Sequence, residues 1–307
     1  MNWDPRRLPS QAGKTFVVTG GNGGIGFFIT EQLAGAGARV ILAARNSERA
    51  DAAIAAILQR NSRADLRFAE LDLSCLSATR DTADTLNSLG RIDGLIENAA
   101  RILPGIKTRA TTNDGFELTF GTNHLGHFAL TALLYPTLAA TPGSRVVTVG
   151  SGATRIARAR LDDLQSEKSF SEFAAYTQSK HATQGFGFEL DRRLRAAGSP
   201  VTALVAHPGG GQSGLTRTVP GVNEPSIATR VAHAARLPAG GGRESAAWPA
   251  VRAATDPEAQ GGDYWGRRFT MLGRPALNAP ATSSHAAAYG SALWERSEFL
   301  TGIRFAI

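Results

Sequence analysis

The sequence predicts an α/β fold: one domain in which a doubly wound, mostly parallel sheet lies between two layers of helices, a three-layer α/β/α arrangement. Three observations predict it. Short apolar runs of strand length alternate with segments of helix length along most of the chain. Several of those runs are apolar almost throughout, as strands covered on both faces are. A glycine-rich stretch also stands directly between the first strand and the first helix.

Taken in order, the candidate strands are Thr15–Thr19, Arg39–Ala43, Leu66–Glu70, Gly94–Glu97, Arg145–Val149 and Thr202–Ala206. The main helical segments between them are Ile25–Ala36, Ser47–Gln59, Asn113–Leu138 and Glu172–Ala197. After His207-Pro208 the character changes. Residues Gly209–Gly242 are rich in Gly, Pro and Thr, with one weak helical stretch at Ile227–Arg236. Long irregular segments inside a compact domain are usually functional or mobile, so about 209–248 is read as a substrate lid. A helix near Ser245–Ala254 closes the lid. A strand at Gly261–Trp265 and a helix at Ala287–Leu300 then form a C-terminal extension over about 260–307. Neither a repeat nor a linker divides the chain, so 1–307 reads as a single domain.

Composition narrows the function classes. Of 307 residues, 42% are hydrophobic, enough for a core of this size. The longest apolar stretches, such as Phe16–Val18 and Ala203–Ala206, fall far short of the roughly 20 residues a membrane span needs. Met1–Gln11 is polar, carries Arg6 and Arg7 and lacks the apolar core of a signal peptide, so a cytoplasmic location and no membrane partner are expected. The single cysteine, Cys75, allows no internal disulfide, and no Cys/His cluster has metal-ligand spacing. The formal charge is +7, yet the basic residues, only four of them lysine, are dispersed. Without a basic run, nucleic acid is not an expected partner. A dispersed positive field would help to draw in an anionic dinucleotide, although an arginine-rich coding bias is the plainer reading.

Gly20-Gly21-Asn22-Gly23-Gly24-Ile25-Gly26 follows the strand ending at Thr19 and opens a helix. Glycines permit the tight turn and let backbone N–H groups approach a pyrophosphate, and the helix N-terminus adds partial positive charge. The glycine spacing resembles the TGxxxGxG loop of the short-chain dehydrogenase/reductase family, whose fold is Rossmann-like. The candidate cofactor contacts here are Gly20, Asn22, Gly23, Gly24, Ile25 and Gly26. At the end of the second strand an acidic residue would bind the ribose 2′-hydroxyl of NAD, whereas an arginine would receive a 2′-phosphate. The chain reads Ala44-Arg45-Asn46, so NADP(H) is the expected cofactor, held by Arg45 and Asn46.

Tyr176 and Lys180 stand four apart in a predicted helix and so share a face. A tyrosine near pKa ~10 is a poor acid–base at neutral pH, and a nearby ammonium favours its phenolate. Ser151 follows the fifth strand, at the carboxyl end where α/β sites form. Its hydroxyl could stabilise charge on a substrate oxygen. Asn123 lies within a predicted helix, where asparagine is disfavoured and often marks a bend or an ordered water. Together these match the family's Asn, Ser, Tyr and Lys tetrad in its order. The resemblance implies that Tyr176 is the proton donor and acceptor, Ser151 polarises the carbonyl, Lys180 tunes Tyr176, and Asn123 holds a water in a proton relay.

Further segments extend the resemblance along nearly the whole chain. Asp72-Leu73 resembles the family's adenine contact. Asn98-Ala99-Ala100 is similar to its NNAG motif, from which Glu97 and Ala100 depart, and Asn98 reads as structural more than chemical. Pro208-Gly209 resembles its PG motif, with Ser213 at the place of the usual threonine, to bind the nicotinamide half. Gly150 stands where the family often has a first serine. Ser151 and Tyr176 are 25 positions apart, a long gap that, with Ala44-Arg45-Asn46, looks like the retinol-dehydrogenase-like branch. Gly261–Gly266 and Leu293-Trp294-Glu295 resemble its soluble bacterial members. Without a hydrophobic N-terminal anchor, membrane retinoids are not implied as substrate.

The resemblance implies an enzyme that passes hydride between NADP(H) and a small-molecule carbonyl or secondary alcohol. A catalytically silent NADP(H)-binding sensor, or a reductase of C=C or C=N bonds, remains the alternative on this scaffold. Leu215, Val219, Val222, Ile227 and Trp248 would line an apolar pocket, or else form satellite core beneath a loop. Arg155, Arg158 and Arg160 would greet an acidic substrate or lie solvated. Homodimers and homotetramers are the family's usual assemblies.

Overall fold

The computed structural model describes residues 3–102, 105, 107–235 and 240–307. Strand β1 (Thr15–Thr19) leads into α1 (Gly24–Gly35), β2 (Arg39–Ala44) into α2 (Ser47–Arg60), and β3 (Asp65–Glu70) into α3 (Leu76–Asn87). Then come β4 (Gly94–Glu97), α4 (Leu118–Phe120), α5 (Gly126–Ala139), β5 (Arg145–Val149), α6 (Glu172–Ala196) and β6 (Thr202–Ala206). A short ladder joins β7 (Gly211–Gln212) to β8 (Gly241–Gly242), on either side of α7 (Ile227–Ala234). Helices α8 (Arg243–Ala246) and α9 (Trp248–Thr255) precede β9 (Tyr264–Arg267) and β10 (Pro275–Leu277). Two more helices, α10 (Thr282–His285) and α11 (Ala287–Thr301), end the chain.

The main sheet has the order β10-β9-β6-β5-β4-β1-β2-β3, parallel except for β10 against β9. Phe16 and Val18 of β1 point into a core shared with α1, α2 and α9. Val17 points the other way, into a core shared with α3, α5 and α6. That two-sided burial is why the strands are apolar at every position rather than at alternate ones. The chain reverses direction across the sheet between β1 and β4, and ligands of such folds bind outside the strand ends at this switch point.

Several expectations shift. The helix predicted over Asn113–Leu138 starts at Leu118. Thr111 and Glu117 form an antiparallel bridge before it, and the Glu117 carboxylate caps α4 by accepting from the N–H groups of Thr119 and Phe120. The helix then passes through a π turn at Gly121–Leu125 before α5. Helix α3 was not predicted. Its inward face is Thr79, Thr82, Ala83 and Leu86, too polar to mark a stripe, and both threonines return their hydroxyls to carbonyls four residues back. The last parallel strand starts at Tyr264, after a left-handed turn at Gly262 (φ 82°), rather than at Gly261. The stretch predicted over Ile227–Arg236 is helical to Ala234, and Arg236 lies outside the described residues, as do 237–239 of the lid. Among the described residues no helix is long and apolar enough to cross a membrane.

Candidate active site

The glycine loop closes against β4. Gly20 and Gly24 take left-handed φ values of 66° and 57°. A Cβ at Gly26 would lie 2.2 Å from Gly20 O and 2.5 Å from Asn98 Nδ2, so no side chain fits there. Asn98 Nδ2 donates to Thr19 O (2.9 Å), and Thr19 Oγ1 accepts from Ala99 N (2.9 Å). Asn98 is thus a clamp between β1 and β4, and Ala99 and Ala100 lead away from it over the loop.

Beside the loop opens a cleft of about 250 Å³ between the ends of β1, β2 and β3. Gly20, Asn22, Arg45, Asn46, Asp72, Leu73, Ala99 and Ala100 line it, so eight of the residues expected to hold the cofactor share one cavity, which the rest of the glycine loop and the Pro208–Ser213 segment do not line. Asn46 has a second task, since its Oδ1 accepts from Arg49 N (2.7 Å) and caps α2. Asp72 Oδ1 accepts from the backbone and hydroxyl of Ser74, which fixes the turn after β3. Two further arginines, Arg49 and Arg101, line the cleft and were not singled out from the sequence. Arg49 was legible only as an exposed residue in a helix start, and Arg101 as a loop residue. Three guanidinium groups and the N-terminus of α1 suit this cleft to an anionic, phosphate-bearing ligand.

The four tetrad positions are joined by contacts. The Ser151 side chain lies beside the Tyr176 phenol. Lys180, one turn beyond Tyr176 in α6, donates from Nζ to Val149 O (2.8 Å), two residues before Ser151. Asn123 sits in the π turn, 1% exposed, where its Nδ2 donates to Ser179 Oγ (3.0 Å) and to Arg101 O (3.1 Å). Its Oδ1 accepts from Arg101 N (2.6 Å). The Asn123 side chain therefore ties α6 to the loop lining the cofactor cleft. Its backbone carbonyl already accepts from Thr183 Oγ1 (3.2 Å) and meets His127 Nδ1 (3.0 Å).

Burial sets the electrostatics of the group. It pushes the Tyr176 phenol above its usual range, opposed by the Ser151 side chain, so the phenol holds its proton at neutral pH. The Lys180 ammonium, expected to favour the phenolate, is directed at Val149 O. Burial also pulls Lys180 down to about 8, with Glu97 pushing the other way.

Behind Ser151 stands Gln184. Its Nε2 donates to Ser151 O (3.1 Å) and to Tyr264 Oη (3.2 Å). The 25-residue interval folds back onto α6: Gln178 exchanges bonds with both backbone groups of Arg160, and His181 Nε2 meets Ala157 O (2.7 Å). Arg155 donates to Ala279 O, and half-exposed Arg160 lies beside Asp162 and Asp163.

Past β6, Pro208 leads to Gly209, whose φ of 71° and close approach to Met271 O and Thr270 O require glycine. A Cβ at Gly211 would lie 3.2 Å from Ile25 Cδ1, so this strand lies against the glycine loop. Ser213 opens the turn that follows. Val219 and Val222 pack into the core beneath α1 and α9 and Ile227 is exposed, whereas Leu215 and Trp248 line a cleft of about 430 Å³ together with Gln32 and Ser245.

Residues 14–221 match the family model for short chain dehydrogenase. The chain is 37% identical over 304 residues to dehydrogenase/reductase SDR family member 13 of Bos taurus, covering 97% of this chain and 76% of that one. It is 39% identical to polyprenol dehydrogenase of Mus musculus over 67% of this chain, but spans only 62% of the mouse protein. Retinol dehydrogenase 13 of Homo sapiens is 40% identical, over 68% of this chain and 63% of that protein. Among solved structures, an uncharacterized protein from Mycobacterium Paratuberculosis aligns over all of both chains with a TM-score of 0.80 and 36% identity. The NADP active-site complex of Pseudomonas aeruginosa RhlG aligns over 83% of this chain and 94% of that one (TM-score 0.62, 26% identity).

Proposed function

The chain belongs to the short-chain dehydrogenase family, and from that premise we propose that it is an NADP(H)-dependent oxidoreductase acting on an apolar alcohol or its carbonyl counterpart. The observation that carries this reading is the placement of the Ser151 side chain beside the Tyr176 phenol at the carboxyl end of the sheet, with Lys180 one turn away in α6. A protein that only senses the cofactor has no need of that arrangement.

NADP(H) is favoured over NAD(H) by Arg45, Arg49 and Arg101 around the cleft, and by the absence of a carboxylate at the end of β2. The RhlG complex with NADP supports the same choice. The nicotinamide supplies or accepts the hydride. In reduction, Tyr176, which holds its proton at neutral pH, gives it to the carbonyl oxygen. The Ser151 hydroxyl, anchored by Ala153 N (3.2 Å) and by Gln184 through the backbone, offers a hydrogen bond to the same oxygen as charge develops. Lys180 fixes the carboxyl end of β5 and brings positive charge beneath the site. Asn123 holds α6 and the cleft wall in register.

An apolar substrate follows from two observations. The relatives include polyprenol and retinol dehydrogenases. Ile102, Ile156, Leu161 and Phe173 are exposed on segments that leave the carboxyl ends of β4 and β5, the end at which Ser151 stands. Consumption of NADPH and of NADH should be measured against aldehydes and ketones of increasing apolar bulk, with quinones alongside. Turnover that prefers NADPH and grows with apolar bulk is the expected result. Preference for NADH, or no turnover of any carbonyl, contradicts the proposal.

A further inference from the structure

Lys180 is 3% exposed, donates to one carbonyl, and has no carboxylate within ion-pair distance among the described residues. An ammonium taken out of water in this way is unstable without a counter-charge. One carboxylate lies in the same buried layer and bears on it electrostatically. Glu97, the last residue of β4, is 1% exposed and lies opposite Thr148 of β5 in the sheet register. Its Oε1 accepts from Thr131 of α5, and its Oε2 is buried with no hydrogen-bond partner. Glu97 also stands where the NNAG motif has its first asparagine, a residue that brings no charge.

We propose that Glu97 is a positioning residue for Lys180, the buried counter-charge that keeps this lysine an ammonium inside the core. The consequence for turnover rests on the function proposed above, but the charge coupling itself does not.

The neighbouring groups leave no other candidate. From α5 the titratable group is His127, which burial lowers to about 4 and which therefore stays neutral, its Nε2 paired with Thr19 Oγ1 (2.9 Å). Among the described residues, strands β1 and β5 present no titratable side chain to this layer, their polar groups there being Thr19 and Thr148, and α6 presents Lys180 with Tyr176 one turn before it. Helix α9 packs on the opposite face, and its Arg252 is engaged with Asp256. Burial raises Glu97 to about 7, opposed by Thr131, Thr148 and Lys180, while Glu97 is what pushes Lys180 upward. Removing the carboxylate takes away that push, so Lys180 must lose its proton at lower pH.

The chain has four lysines, Lys14, Lys107, Lys168 and Lys180, so NMR of protein carrying carbon-13 lysine can follow each one separately without cofactor or substrate. The Lys180 signal is assigned by its loss in Lys180→Met. In Glu97→Gln, and in Glu97→Asn as a second variant, the Lys180 midpoint should fall by roughly one pH unit or more while the other three stay put. Glu97→Asp, which keeps the charge, should restore most of the shift. An unchanged Lys180 midpoint in a folded Glu97→Gln overturns the proposal. Failure of the hydride-transfer reading would show separately, as absence of turnover in the parent.

Discussion

Gln184 occupies the space in front of Gly150: a Cβ there would stand 2.5 Å from Gln184 Nε2, the atom that donates to Ser151 O at 3.1 Å. The missing side chain at 150 and the glutamine in α6 are thus one arrangement, which fixes the backbone of Ser151. Gly150→Ser, the residue common in the family, should displace Gln184 and lower turnover by about tenfold, ~1.4 kcal/mol of lost transition-state stabilisation. Cofactor affinity should hardly change. Adding Gln184→Ala to Gly150→Ser should recover part of the loss. Full activity in Gly150→Ser alone would show that Gln184 does not position Ser151.

Arg45 and Arg49 flank the cap of α2 and face the same cleft. Hydrogen bonds to a charged group contribute roughly 1.5–3 kcal/mol, so Arg45→Asp should weaken NADPH by roughly 10- to 100-fold. NADH should lose far less, because it lacks the 2′-phosphate. Arg49→Ala should act in the same direction. Fluorescence titration of both nucleotides decides the matter, and equal losses would remove the 2′-phosphate from these arginines.

Acid should destabilise the fold well before its surface carboxylates protonate. Burial lowers His124 to about 3, His127 to about 4 and His207 to about 4, from an ordinary value of 6.5. The unfolded chain therefore binds up to three more protons at these sites, and their contribution, full above pH 6.5, is lost as pH falls towards 4. Glu97, raised from 4.5 to about 7, works in the opposite sense across that window, but with one proton against three. Unfolding free energy from urea titrations should fall by roughly 2 to 3 kcal/mol per pH unit between 6 and 5. A flat profile there would mean that these histidines already carry charge in the native protein.

Much of this architecture is legible in the residues. The strands at Thr15–Thr19, Gly94–Glu97, Arg145–Val149 and Thr202–Ala206 form where uniformly apolar runs predict them, because burial on both faces leaves an unambiguous mark. The glycine loop was legible from its place between a strand and a helix, while the meeting of Ser151 with Tyr176 was implied by the family resemblance rather than by spacing. Helix α3 escaped because its inner face is built on threonines that satisfy their own hydroxyls. Arg49, Arg101 and Gln184 escaped for a different reason. A guanidinium or an amide acquires its role only from the tertiary surface it meets, and its local sequence reads as ordinary helix or loop. The lid residues Val219 and Val222 pack on the core while Leu215 and Trp248 line a cleft, a division the residues alone do not show because an apolar residue under a loop looks the same whether it faces a cavity or the core.

The most direct test of the account is turnover of NADPH with an accepted carbonyl by Tyr176→Phe, measured beside NADPH affinity. The account predicts that turnover falls by several powers of ten, because reduction loses its proton donor. NADPH affinity should stay within a few-fold of the parent. Turnover comparable to that of the parent would contradict the assignment of Tyr176 as the acid–base, and with it the central claim about this site.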